Sequence, residues 1–174
     1  GKILDYRQTQ SSIDQYQANI QSGMTRLDFT ETTLSLVDDL LQVVRSIGQT
    51  EADGTTESRQ WAAEEVKMLY DQILDLANSK LNNNYIFSGY QTKTAPFSRD
   101  DSLATTFDRY TVAYDGDAGD ARYIVANNTE VTINADGRPL FHYAAGGGVN
   151  IFDALRDLIV GLENDDTNAI SAQS

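Results

Sequence analysis

The segment Ile13-Asp14-Gln15-Tyr16-Gln17-Ala18-Asn19-Ile20 opens a run in which a large apolar residue returns at Ile13, Ile20, Leu27, Leu34 and Leu41. An unbroken spacing of seven is the mark of a helical seam, because two turns of α-helix bring the same face back every seven residues. The companion track, Tyr16, Gly23, Thr30, Val37 and Val44, turns apolar only toward its end. No proline interrupts the stretch from Gly1 to Gln49. A helix of that length extends on the order of 70 Å, longer than a compact domain of this size needs, so the spacing predicts a rod.

Outward from the seam, residues 50–58 hold Asp53-Gly54 among small polar residues, which supply the capping and left-handed geometries of a reversal. A second helical pattern follows, with Trp61, Ala62, Val66, Leu69, Ile73, Leu76 and Ala77 on one face. It should pack antiparallel on the first helix. Asn82-Asn83-Asn84 ends that pattern, and Tyr85-Ile86-Phe87-Ser88-Gly89-Tyr90 is too short and aromatic to continue it. The aromatics Tyr85, Phe87 and Tyr90 are expected to pack where the helices end and the sheet begins.

Between about 107 and 143 the period changes to two, through Tyr110, Val112 and Tyr114, then Tyr123 and Val125, then Val131 and Ile133. Asp115-Gly116, Asn127-Asn128 and Asp136-Gly137 lie between these runs and suit tight hairpin turns. Ala144-Ala145-Gly146-Gly147-Gly148 reads as a flexible link. Beyond it, Asn150 is a good N-cap for a helix with Ile151, Phe152, Leu155, Leu158, Ile159 and Leu162 on one stripe. The expected fold is mainly α with an inserted all-β domain. A rod-like antiparallel helical bundle or coiled coil is formed by residues 1–90 and 149–174, and a small antiparallel β domain by 91–148.

The chain has 174 residues, with 13 Lys and Arg against 26 Asp and Glu, so the net charge is 13 − 26 = −13. Such a chain repels phosphate backbones and anionic lipid headgroups, which argues against nucleic-acid and membrane partners. With no cysteine and one histidine, disulfides, thiolate zinc sites and multi-histidine metal clusters are excluded. Residues 1–20 lack a secretory-signal pattern. Helical patterns that start at Gly1 and resume at Ile170 suggest a trimmed fragment.

Candidate chemistry fails on its own requirements. Asp115, Asp117 and Asp120 crowd carboxylates as a calcium loop does, yet Gly119, Asp120 and Ala126 occupy positions where that loop needs an acid or amide, a glycine and a glutamate. An acidic turn is the better reading. The Gly146–Gly148 run precedes a helix but lacks the Lys-Ser/Thr pair of a phosphate loop, and Ser88 lacks the upstream glycine of a nucleophile elbow. His142 in Leu140-Phe141-His142-Tyr143 reads as an ordinary strand histidine, while Glu64-Glu65 and Asp38-Asp39 read as solvated helix faces. The sequence therefore points to no catalytic, cofactor-binding or metal-ligating residue, to no cofactor, and to a protein that is not an enzyme. The seam itself suits either an internal bundle core or a groove for a partner helix. The core is favoured, because the second helix and the Ile151 helix offer enough apolar stripe to fill it.

Leu41-Gln42-Val43-Val44-Arg45, the polar reversal and a second helix with Glu64 and Leu69 together resemble the helical core shared by flagellins and flagellar hook-associated proteins. Asn84-Tyr85-Ile86-Phe87-Ser88-Gly89-Tyr90-Gln91-Thr92, followed by Thr94-Ala95-Pro96-Phe97, resembles the signature of the hook-associated protein 3 family, the hook-filament junction proteins. Flagellins usually carry a Phe-Asn-Gly type of segment there. Tyr114-Asp115-Gly116-Asp117 and Asn150-Ile151-Phe152-Asp153-Ala154-Leu155, with Asn164-Asp165-Asp166 and Ile170, fit the family's β-domain opening and following helix. The resemblance covers about residues 30–170. It implies a mechanical adaptor of the extracellular bacterial flagellum, exported by the type III apparatus. Its implied partners are the other junction protein, flagellin, copies of itself and an export chaperone. The terminal segments that form the filament core in that family are absent here, so the isolated fragment, with a covered seam and an acidic exterior, is expected to be a monomer. A flagellin fragment is the alternative, and a calcium- or sugar-binding surface module built on Asp115–Asp120 the more distant one.

Overall fold

A run of 50 residues without proline and with glycine only at Gly23 and Gly48 winds into one helix, α1 (Lys2–Glu51), about 75 Å long at 1.5 Å per residue. The computed structural model describes residues 2–134, 136–141 and 149–173. At Ala52 the chain reverses, and α2 (Thr56–Ala77) returns along α1. Its start is fixed by a reciprocal cap: the Thr55 hydroxyl accepts from the Ser58 amide, and the Ser58 hydroxyl accepts from the Thr55 amide at 2.9 Å. Serine here takes the place of the usual glutamate in a capping box.

The heptad spacing is present, but the buried track is the companion one. Val37 and Val44 are 3% and 5% exposed, and Gly23, Thr30, Thr33 and Gly48 are buried with them. Leu34 and Leu41 pack against the core, but Ile13, Ile20 and Leu27 keep 49%, 43% and 45% of their surface in solvent, which corrects the expectation of an internally filled seam for the first half of α1. Two causes are visible. Small residues on the companion track let neighbours come close to the α1 backbone, which sends the large side chains to the flanks. The buried Thr30 and Thr33 hydroxyls satisfy themselves by donating to the carbonyls of Arg26 and Phe29, at 2.9 and 2.8 Å. Moreover α2, with 22 residues, spans about 33 Å and cannot reach the first half of α1.

After α2 the described residues make three separate two-stranded antiparallel sheets. Strands β1 (Lys80–Leu81) and β2 (Asn84–Tyr85) pair across Asn82-Asn83, whose φ angles of 51° and 61° make a two-residue turn of the type that matches strand twist. The asparagines expected only to end the helix thus close a hairpin. Strand β3 (Phe97–Arg99) pairs with β4 (Val112–Tyr114), with the short helix α3 (Thr106–Arg109) between them. Strand β5 (Arg122–Ala126) pairs with β6 (Thr129–Thr132) across Asn127-Asn128, the hairpin the sequence predicts there.

The other two expected turns differ. Asp115-Gly116 joins β4 to β5, which do not pair, and Asp136-Gly137 leads into a helix, α4 (Gly137–Phe141), where alternation suggested a strand. A glycine is needed at that entry because a Cβ on Gly137 would lie 2.8 Å from the Phe87 carbonyl oxygen. His142 and the Gly146–Gly148 link lie outside the described residues. The chain then enters α5 (Ile151–Glu163), capped by Asn150 as the sequence predicts, and α6 (Thr167–Gln173).

One apolar core holds these parts together. The stripe of α2 is Ala62, Ala63, Val66, Tyr70, Ile73 and Ala77, and it faces Phe152, Leu155, Leu158, Ile159 and Leu162. Trp61 is off that stripe and 73% exposed, unlike its expected place on the buried face, because the buried arc centres on residues 62, 66, 70 and 73, on the opposite side of the helix. At the far end Phe87, Phe97 and Phe141 join Phe152, with ring centroids 5.2 to 5.4 Å apart for Phe87 with Phe141, Phe97 with Phe141 and Phe97 with Phe152. Rings contributed from beyond β2 therefore pack directly on α5.

Candidate assembly surface

The aromatic segment after β2 is held at a junction of backbone bonds. The Phe87 carbonyl accepts from the Gly137 amide at 3.2 Å and from the Tyr114 hydroxyl at 3.0 Å. Burial, reinforced by the Asp136 carboxylate, pushes the Tyr114 hydroxyl up to about 12, so it stays a neutral donor. Phe87 and Ser88 are fully buried and Tyr85 is half-buried, as expected of residues at the helix-to-sheet boundary. Tyr90 differs: its ring is exposed, although its hydroxyl donates to the Asp120 carbonyl at 2.8 Å.

The acidic turn of Asp115, Asp117 and Asp120 is used structurally at Asp117, whose Oδ1 accepts from the Tyr90 and Gly119 amides, each at 2.8 Å. Among the described residues no group of three His, Cys, Asp or Glu side chains could hold a metal ion. Asp38 accepts from the Gln42 amide at 2.8 Å, Glu64 accepts from Lys67 at 2.6 Å, and Ser88 is closed off from solvent. These placements bring none of the candidate chemical groups together.

What the fold leaves open is helix surface. The first half of α1 meets the β5–β6 hairpin instead of a helix: Asn19 donates to the Ile124 carbonyl at 2.7 Å, and Gly23 lets Ile133 approach, since a Cβ there would lie 3.2 Å from its methyl group. Ile13, Ile20, Met24 and Leu27 remain exposed along one flank. Leu36 and Val43 are exposed on a different face of α1. No helix is long and apolar enough to cross a membrane among the described residues.

Both helical reversals are pinned by one residue that sequence reading missed. Arg59 is buried, donates to the Glu51 and Ala52 carbonyls at 2.9 and 3.1 Å, and pairs with Asp165 in the α5–α6 turn. Its signal was its position, three residues before Ala62 and seven before Val66 on the apolar face. Hydrogen bonds from Arg59 and then Thr56 hold the Asp165 carboxyl below the usual carboxylate range. A depressed native pKa adds stability above the unfolded value of about 4, and the gain fades as pH falls through the native value. Acidification from about pH 5 to about pH 3 should therefore loosen the α5–α6 turn. Asp165→Asn should flatten that part of the melting-temperature profile, and a profile left unchanged by the substitution would refute the role of this pair.

This arrangement of a long helix, a returning helix and a hairpin clasped to the first is shared with known proteins. Residues 2–92 match the model of the bacterial flagellin N-terminal helical region. The chain belongs to that family. Within it, this flagellin-family chain is 34% identical over 101 residues to flagellar hook-associated protein 3 of Escherichia coli strain K12, covering 56% of the chain and 31% of the relative. It thus spans about a third of that relative's length. Among solved structures, hook-associated protein 3 of Legionella pneumophila matches with TM-score 0.71 and 29% identity over 80% of this chain and 41% of that one. A Vibrio parahaemolyticus structure, provisionally assigned as a flagellar hook-associated protein, matches with TM-score 0.83 and 26% identity over 99% of this chain and 75% of that one. The resemblance to the hook-associated protein 3 family is borne out by these relatives.

Proposed function

We propose that this flagellin-family chain is part of a hook-filament junction protein, a non-enzymatic mechanical adaptor of the extracellular flagellum. The observation that carries the reading is the likeness to hook-associated protein 3 of Legionella pneumophila in both sequence and fold. The aromatic segment Tyr85–Tyr90 favours this role over a flagellin subunit. In this reading the parent protein sits between the other junction protein and the first flagellin, contacts copies of itself, and leaves the cell with an export chaperone. Helices aligned along a filament axis carry axial load through a 50-residue element, while strands project sideways to meet neighbours. The chain is divided into a helical rod, 1–90 with 149–174, and an insert, 91–148, whose base is anchored in the rod's core through Phe97 and Phe141. The net charge of −13 opposes self-association of the isolated chain, which is accordingly monomeric.

The test is reconstitution on isolated hooks that carry the preceding junction protein. Flagellin should extend filaments only after the full-length parent of this chain has been added. Outgrowth without it would defeat the adaptor reading, and filaments built from the parent alone would favour the flagellin alternative.

A further inference from the structure

Three cations of the central bundle, Arg45, Arg59 and Lys67, lie away from one exposed face. Arg59 is buried, Lys67 pairs with Glu64 and Glu163 on the α5 side, and Arg45 borders the groove between α1 and α5. On the opposite flank, α2 carries Glu57, Trp61, Glu65 and Met68 at spacings of four, four and three, so they share one helix face. On α1, Leu36, Asp39 and Val43 share a face at spacings of three and four. A groove runs between the two helices beside Ile47, Thr50 and Trp61. Leu36, Val43, Trp61 and Met68 are all exposed. The side chains of Asp39, Glu57 and Glu65 make no hydrogen bond or ion pair among the described residues.

We propose that this α1–α2 face docks a basic amphipathic helix of a partner protein. The exposed ridge alternates large apolar side chains with unpaired carboxylates, and its complement is a helix with Lys or Arg beside large apolar residues at spacings of three and four. Trp61 suits the anchor position, since a tryptophan buries more area on docking than any other side chain and such residues dominate binding energy. A second copy of the chain is a poor occupant because its net charge is −13. This inference stands apart from the junction reading, because it concerns binding by the isolated chain.

Trp61 is the only tryptophan, so its emission reports directly on the face. The probe is a designed amphipathic peptide of leucine and lysine, with a leucine and glutamate peptide as its counterpart. The lysine peptide should shift Trp61 emission to shorter wavelength, and the glutamate peptide should not. Glu57→Gln with Glu65→Gln should weaken binding roughly tenfold, and added salt should weaken it further. Asp120→Gln with Glu130→Gln, on exposed acids elsewhere, should leave it unchanged. An equal loss with both pairs would show diffuse attraction and overturn the proposal, as would a response to the glutamate peptide or no response to either. A shift that grows with protein concentration in the absence of peptide would show a second copy on the face and would equally overturn it.

Discussion

Phe97→Ala should lower the unfolding free energy by about 4 kcal/mol, the range for deleting a large ring from a core that cannot collapse around the void. The ring is 2% exposed and touches Tyr114, Phe141 and Phe152, which come from β4, α4 and α5. It is where the proposed insert meets the rod. The loss should therefore appear as a single cooperative transition at lower denaturant, with the helical signal and tyrosine fluorescence moving together. Should the variant not fold, Phe97→Leu keeps most of the volume and should cost about 1.5 kcal/mol. A change near zero in either variant would mean that the aromatic cluster is not a shared core, and two separated transitions in the wild type would mean that the two parts fold independently.

Gly89→Ala should cost about 3 kcal/mol, from roughly 1–2 for a left-handed backbone and a further 1–3 for crowding. Gly89 has φ +67°, and a Cβ there would lie 2.1 Å from Asp117 Oδ1 and 2.4 Å from the Asp117 carbonyl oxygen. Relief requires Asp117 to move, which releases the Tyr90 and Gly119 amides it holds. Thermal melting should show the loss. In the Asp117→Ala background Gly89→Ala should cost less, because one of its two clashes is gone while the backbone clash remains. Equal cost in both backgrounds would place the whole effect in the φ angle.

Element types were legible where spacing has a single cause. The helical recurrence of 62, 66, 73 and 77 (to which the structure adds Tyr70), the Asn150 cap and the Asn127-Asn128 turn each depend on local chemistry, and each is found in the structure. Which track of α1 is buried was not legible from spacing, because that depends on what approaches the helix. Gly23 and the threonines matter by admitting neighbours, a property that a count of apolar residues ranks backward. Asp115-Gly116 and Asp136-Gly137 have hairpin composition, yet a turn dipeptide cannot say whether the strands beside it pair. On the candidate surface, the acid spacing was visible as Glu64-Glu65 and Asp38-Asp39. The sequence did not show which carboxylates find cations; Glu64 does, through Lys67, and Glu65 does not. The size and apolarity of Trp61 suggest burial, whereas its angular position, opposite 62, 66, 70 and 73, leaves it in solvent.

The Asn127-Asn128 tip gives the fold a place to change size without changing its axis. Among the described residues β5 and β6 pair only with each other, and Ala126 and Thr129 close the ladder beside the turn. Extra residues grafted between them would add closure entropy that rises by only about 0.6 kcal/mol for each doubling of loop length. The aromatic core and the path of α1 lie outside that loop. A lineage could therefore lengthen or shorten this hairpin tip while α1 and the aromatic core keep the same packing.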